Sequence, residues 1–229
     1  MQSGVRAGGT GKALKLAGAS LPVTVQRSTS FGGITPTWVR LLARPGLGGE
    51  RRASPSSGIA SVSFDPAGTI LASDGTAWVD TGQIYTADTW WEVLYKLNFT
   101  NHTYNLYLSP AAGPRVSFTP VKEGLQFTDT SQGALDALKF GGCYSATLPD
   151  DTYLDNVMVY YVEKMAFISA AQTLVQDQPS GPVTVQLQNS LGEPQRAMED
   201  LTLELKSTSS EGKFSLQREP WGDIAQAFL

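Results

Sequence analysis

Apolar and polar residues alternate one for one in run after short run along this chain, and that two-residue period commits it to strands rather than helices. The clearest runs are residues 59–64 (IASVSF), 77–81 (AWVDT), 90–99 (WWEVLYKLNF), 103–108 (TYNLYL) and 153–161 (YLDNVMVYY). Others fall at 22–26 (PVTVQ), 37–43 (TWVRLLA) and 138–140 (LKF), and Ala13, Leu14 and Leu16 form one more. Turn formers punctuate them: Gly32-Gly33, Asp65-Pro66, Ser73-Asp74-Gly75, Gly113-Pro114, Gly141-Gly142 and Pro149-Asp150-Asp151. A short polar stretch with Asn101 and His102 at its tip separates two of the longest runs, which is hairpin spacing. Only 193–206 has helix-friendly composition, and there Leu201, Leu203 and Leu205 alternate with polar partners, so a strand is expected. The expected fold class is all-β, an antiparallel β-sandwich.

At 229 residues, with 41% hydrophobic and 17% charged residues, the chain can bury a core without staples. Its net charge of −4 argues against a nucleic-acid partner, because a phosphate binder needs a basic face. The basic cluster Arg40, Arg44, Arg51 and Arg52 reads as a solvated loop flank. One cysteine, Cys143, excludes an internal disulfide and is neutral on compartment. No apolar run is long enough for a membrane span. Residues 1–20 lack an apolar stretch after their basic residues, so the signal of an exported protein is expected to lie upstream. Residues 46–57 (GLGGERRASPSS) are too polar and glycine-rich to pack, and read as a loop.

The pattern changes near 162–165, which predicts two domains, 1–162 and 163–229. In the first, 90–108 (WWEVLYKLNFTNHTYNLYL) resembles the central hairpin of concanavalin A-like and laminin-G-like sandwiches. Residues 153–160 (YLDNVMVY) resemble their closing strand, and 135–142 (LDALKFGG) fits between. That resemblance covers about residues 10–162 and implies a jelly roll. Residues 165–224 are similar to bacterial immunoglobulin-like domains of multi-domain surface proteins. Such domains run to about 100 residues. The 163–229 segment is therefore expected to be partial, completed by residues beyond it or by a donated strand, with 5–16 as the donor within this chain.

Glucanases of the resembled superfamily cluster carboxylates on one strand, in E-x-D-x-x-E or E-x-D-x-E form. The nine glutamates here are scattered; Glu92 alone lies in a central run, where it reads as a solvent-face residue. Lyase relatives use a Q-I-H element with Tyr and Arg, but the one histidine, His102, lies in a turn. No G-x-S-x-G, Walker loop or G-x-G-x-x-G is present, and Cys143 has no histidine near it in sequence. No catalytic residue is assigned, and the chain is expected not to be an enzyme.

Aromatic residues remain as binding candidates, because exposed rings stack on sugar C–H faces. The resemblance places Trp90 in the core, leaving Trp91 exposed to form a platform with Tyr107. Trp38 and Trp78 read as core residues. The resemblance also implies a structural calcium at Asp155 in the D-N-V strand. Asn98 and Asn101 begin two N-x-T sequons three residues apart, a pattern that chance supplies and a bacterial host would not use. The expected function is a non-catalytic, extracellular or cell-surface module, the glycan-binding or adhesive part of a larger surface protein, with a polysaccharide or glycoconjugate as partner. Alternatives are a structural or filament subunit self-associating through unpaired strands, and a fragment of a polysaccharide-degrading enzyme.

Overall fold

The computed structural model describes residues 2–3, 12–17, 24–31, 33, 36–46, 55, 58–111, 119–141, 151–162, 164–173, 181–189, 192–195, 202–204 and 226–228. It contains two compact units, Met1–Tyr161 and Val162–Leu229. The described residues include no helix, and every strand pairing is antiparallel, as the alternation predicts.

Among the described residues, twelve strands build the first unit. They are β1 (Gln2–Ser3), β2 (Lys12–Leu16), β3 (Thr24–Phe31), β4 (Thr37–Arg44), β5 (Val62–Phe64), β6 (Thr69–Asp74), β7 (Ala77–Ile84), β8 (Trp91–Asn98), β9 (Thr103–Pro110), β10 (Lys122–Gln126), β11 (Leu135–Gly141) and β12 (Thr152–Tyr161). A seven-stranded sheet runs β1-β2-β12-β4-β8-β9-β10, beside a three-stranded sheet β5-β6-β7 and a two-stranded sheet β11-β3. One face of the large sheet supplies Val39, Leu41 and Ala43 from β4, Val93 and Leu97 from β8, and Leu106 from β9. Ala72 of β6 and Leu135 of β11 pack against that face, with Val62, Phe64, Val79, Leu138 and Phe140 at the margin, so the core lies between the sheets. Burying each such side chain stabilises by roughly 1.5–3 kcal/mol.

Polar links join the layers. The β6–β7 turn meets β10, where Gly75 N–H donates to Gln126 O (3.1 Å) and Gln126 N–H to Asp74 Oδ1 (2.9 Å). Deeper in, the Tyr104 hydroxyl donates to the Ser73 carbonyl and lies 3.0 Å from Ser73 Oγ.

Three features depart from a plain period-two reading. Val157 is 40% exposed, although it stands two residues from Val159, which packs against the core. Leu154 faces Ala43 and Val159 faces Val39, so β12 spends five residues where β4 spends four. The extra residue is a β-bulge between Asp155 and Met158, and Asn156 takes the left-handed conformation (φ 48°) that asparagine tolerates well. The bulge turns Val157 outward and returns Val159 to the core side. Second, Lys12–Leu16 is not a spare strand: it pairs with β12, and Ala13 and Leu16 are buried. Third, β6 and β10 lack a period-two signal in the sequence. Ile70, Leu71, Ala72 and Ser73 are all buried, so β6 lacks the alternation of a half-exposed strand. In β10, Gly124 (φ 65°) sits within a register shift that breaks the pattern.

The second unit has β13 (Lys164–Phe167) paired with β14 (Val185–Gln188), and β15 (Thr202–Glu204) paired with β16 (Gln226–Phe228). Met165 faces Leu187 and Phe167 faces Val185; Phe167 is 70% exposed, and Val183 is exposed as well. Leu201 and Leu205 lie outside the described residues.

Candidate ligand-binding face

The even positions of β4 and β8 point away from the core, and their cross-strand partners follow from register. Trp38 lies between Lys96 and Tyr160, Arg40 between Leu94 and Met158, and Leu42 between Glu92 and Asp155. On the far side of β8, Leu94 faces Tyr107 and Lys96 faces Asn105. Pleat alone therefore collects aromatic, amide and charged groups on one surface of the large sheet.

The Trp38 and Tyr107 rings meet at 5.5 Å between centroids, tilted by 41°. The Lys96 ammonium lies 5.2 Å from the Trp38 ring centroid, a cation–π contact. Arg40 Nε donates to Glu92 Oε1, and both side chains are largely shielded from solvent. Gly124 N–H donates to Asn105 Oδ1 (3.0 Å), which fixes the amide. Trp38, Leu42 and Leu94 are buried, so they form the floor of this face, while Tyr107, Lys96, Asn105 and Tyr160 are half-exposed above it. At the rim, the Arg44 guanidinium sits 5.1 Å from the Tyr153 ring and pairs with Asp88 (2.6 Å).

Trp91 does not belong to this face. It shares its side of β8 with Val93, is 5% exposed, and packs with Ile70 and Tyr85. The expected Trp91–Tyr107 platform fails because the two rings sit on opposite faces of the sheet. Trp90, expected in the core, precedes the strand and is only half-buried. The ring that meets Tyr107 is Trp38, and only the β4–β8–β9 register could have revealed it. Glu92 is likewise corrected: it is 8% exposed and held by Arg40, not a solvent-face residue. Its two neighbouring strands and the guanidinium shield it, none of which is adjacent in sequence.

Two carboxylates share this surface, Glu92 and Asp155, one on each side of Leu42. They are two strands apart, or roughly 9–10 Å between main chains. Asp155 Oδ1 accepts a hydrogen bond from Asn156 N–H (2.8 Å). Calcium takes six to eight oxygens. Among the described residues no three His, Cys, Asp or Glu side chains come together to hold a metal.

His102 occupies the turn as expected, in the left-handed region (φ 53°), with its ring against Phe127 (5.9 Å). Cys143 lies outside the described residues.

No protein-family model matches this sequence, and a search of curated proteins finds no match. Among solved structures, the chain is similar to the catalytic domain of the glycoside hydrolase family 131 protein from Coprinopsis cinerea. The TM-score is 0.34 and the identity 16%, over 56% of this chain and 56% of that chain. A likeness of that degree carries no argument about activity. What is secure is the architecture: the first unit is an all-β sandwich whose large sheet turns a mixed aromatic and polar face away from the core.

Proposed function

We propose that the first unit is a non-catalytic, extracellular glycan-binding module and that the outer face of its large sheet is the binding surface. One observation carries this reading: Tyr107 is half-exposed beside Trp38, with Lys96 and Asn105 alongside on the same face. A tyrosine ring offers a large apolar contact to a sugar at low entropic cost, and a neighbouring amide and ammonium can take its hydroxyls. The Arg40–Glu92 pair beneath would hold that surface rather than react, since the guanidinium engages the carboxylate. The jelly-roll resemblance of residues 10–162 agrees with such a role without selecting a sugar.

The test is affinity electrophoresis of the full chain in gels containing laminarin, xylan or alginate. Retardation in at least one gel, lost in Tyr107→Ala with unchanged melting temperature, is expected. Wild-type mobility unaffected by all three would remove the proposal.

A second reading, assembly with other copies, is favoured by β13 and β14, where Met165, Phe167 and Val183 are exposed. Among the described residues β13 and β14 form a two-stranded sheet, and such a sheet gains from further pairing. Sedimentation of the full chain at micromolar concentration separates the readings, because assembly requires a concentration-dependent mass.

A further inference from the structure

The β8–β9 hairpin carries two sequons, Asn98-Phe99-Thr100 and Asn101-His102-Thr103, and the fold treats their asparagines differently. Asn98 ends β8 and faces Thr103 across the ladder. Its Oδ1 accepts hydrogen bonds from the main-chain N–H groups of Thr100 and Asn101, both at 3.0 Å. That side chain caps the turn, is half-buried, and stands on the same sheet face as Lys96 and Asn105. The residue after it, Phe99, is buried against Phe127, with ring centroids 5.7 Å apart. Any group on Asn98 would therefore start from a half-buried position on the face that also carries Lys96 and Asn105.

Asn101 is exposed at the tip of the same turn. The tip is held firmly. Phe127 N–H donates to the His102 carbonyl (2.9 Å), the His102 ring packs on Phe127, and Asn98 secures the Asn101 main chain. The turn contacts from Asn98 are local in sequence, and the Phe127 contacts join them once β10 is in place. A transferase then meets one asparagine engaged in a turn cap and one presented to solvent, each with a threonine hydroxyl two residues on.

We infer that Asn101, and not Asn98, is the N-glycan acceptor of this chain in a secretory pathway that has an oligosaccharyltransferase. The co-reactant is a lipid-diphosphate-linked oligosaccharide. Asn101 Nδ2 attacks the anomeric carbon, a new N–C bond forms, the carbon–oxygen bond to the lipid diphosphate breaks, and the amide proton is lost to the enzyme's base. The lipid diphosphate departs with the bonding pair, and no oxidant or reductant is needed. The glycan then projects from the hairpin tip as a bulky, solubilising group.

The experiment secretes the full chain from a eukaryotic host and maps glycopeptides by mass spectrometry before and after amidase release of N-glycans. A single occupied site at Asn101 is expected. Thr103→Ala should abolish the glycan, and Thr100→Ala should leave it unchanged; both variants keep the Asn98 turn cap, so neither removes the contacts that close the hairpin. Asn101→Gln should repeat the loss. An unmodified wild-type chain, a glycan on Asn98, or full occupancy of both sites would each overturn the inference.

Discussion

Replacing Tyr104 by phenylalanine removes one oxygen from the middle of the sandwich. Tyr104 is 1% exposed, and its hydroxyl proton goes to the Ser73 carbonyl. The 3.0 Å contact with Ser73 Oγ is then made by the serine proton. Ser73 Oγ also accepts Ser61 N–H (2.9 Å), while Ser73 N–H donates to the Ser61 carbonyl (2.9 Å). One tyrosine thus ties β9 of the large sheet to β6 of the small one. In Tyr104→Phe the Ser73 hydroxyl and carbonyl each lose a partner where water does not reach, which costs roughly 1–3 kcal/mol. For a unit of this size, a loss of about 2 kcal/mol lowers Tm by roughly 4–8 °C.

The same hydroxyl sets an alkaline signature. Burial pushes the Tyr104 pKa from 10.0 up to about 12, the hydrogen bonds from Ser73 opposing it in part. The native state thus keeps a proton that the unfolded chain releases near pH 10. Stability is intact below pH 10 and falls as pH rises toward 12, by about 3 kcal/mol across the window. In Tyr104→Phe that component vanishes, and the remaining fall comes from Tyr95, whose pKa burial also raises. Urea unfolding followed by tryptophan fluorescence reports mainly on the first unit, which holds four of the five tryptophans. A variant within 0.5 kcal/mol of wild type at pH 7, or one with an unchanged alkaline limb, would refute the reasoning.

Arg40→Met should destabilise by roughly 3 kcal/mol, because Glu92 keeps its charge in a shielded position without the guanidinium, and adding Glu92→Leu should recover most of the loss in urea melts. Val157→Asp should stay within about 0.5 kcal/mol of wild type while Val159→Asp abolishes cooperative unfolding; equal effects would place the bulge elsewhere. Chelation should lower Tm and excess calcium restore it, an effect lost in Asp155→Asn, because a ligand specific to the native state must raise stability; a Tm indifferent to calcium would remove the site that the resemblance implies at Asp155.

Strand content was legible because a half-buried strand writes its exposure into alternate residues. The runs at 37–43, 90–99, 103–108 and 153–161 each became a strand within a residue or two of its expected ends. The hairpin at Asn101 and His102 was legible too, because its turn chemistry is local. Tyr107 was rightly placed on β9, but its ring partner was not. Period two separates a strand's two faces without saying which faces the core, and Trp90-Trp91 offers both choices equally.

The sequence by itself determined that this chain is all-β, where most of its strands and turns fall, and that its titratable residues form no contiguous catalytic motif. Those features rest on local sterics and on the two-residue period, which act within a few positions. Only the tertiary structure decided that Trp91 is core and Trp38 faces outward, that Glu92 is held by a guanidinium 52 positions away, and that Val157 is expelled by a bulge. It also decided that Lys12–Leu16 completes the large sheet instead of serving as a donor. These outcomes depend on which strands become neighbours and in what register. Pairing energy is summed over whole ladders and a shared core, so no single segment carries the answer.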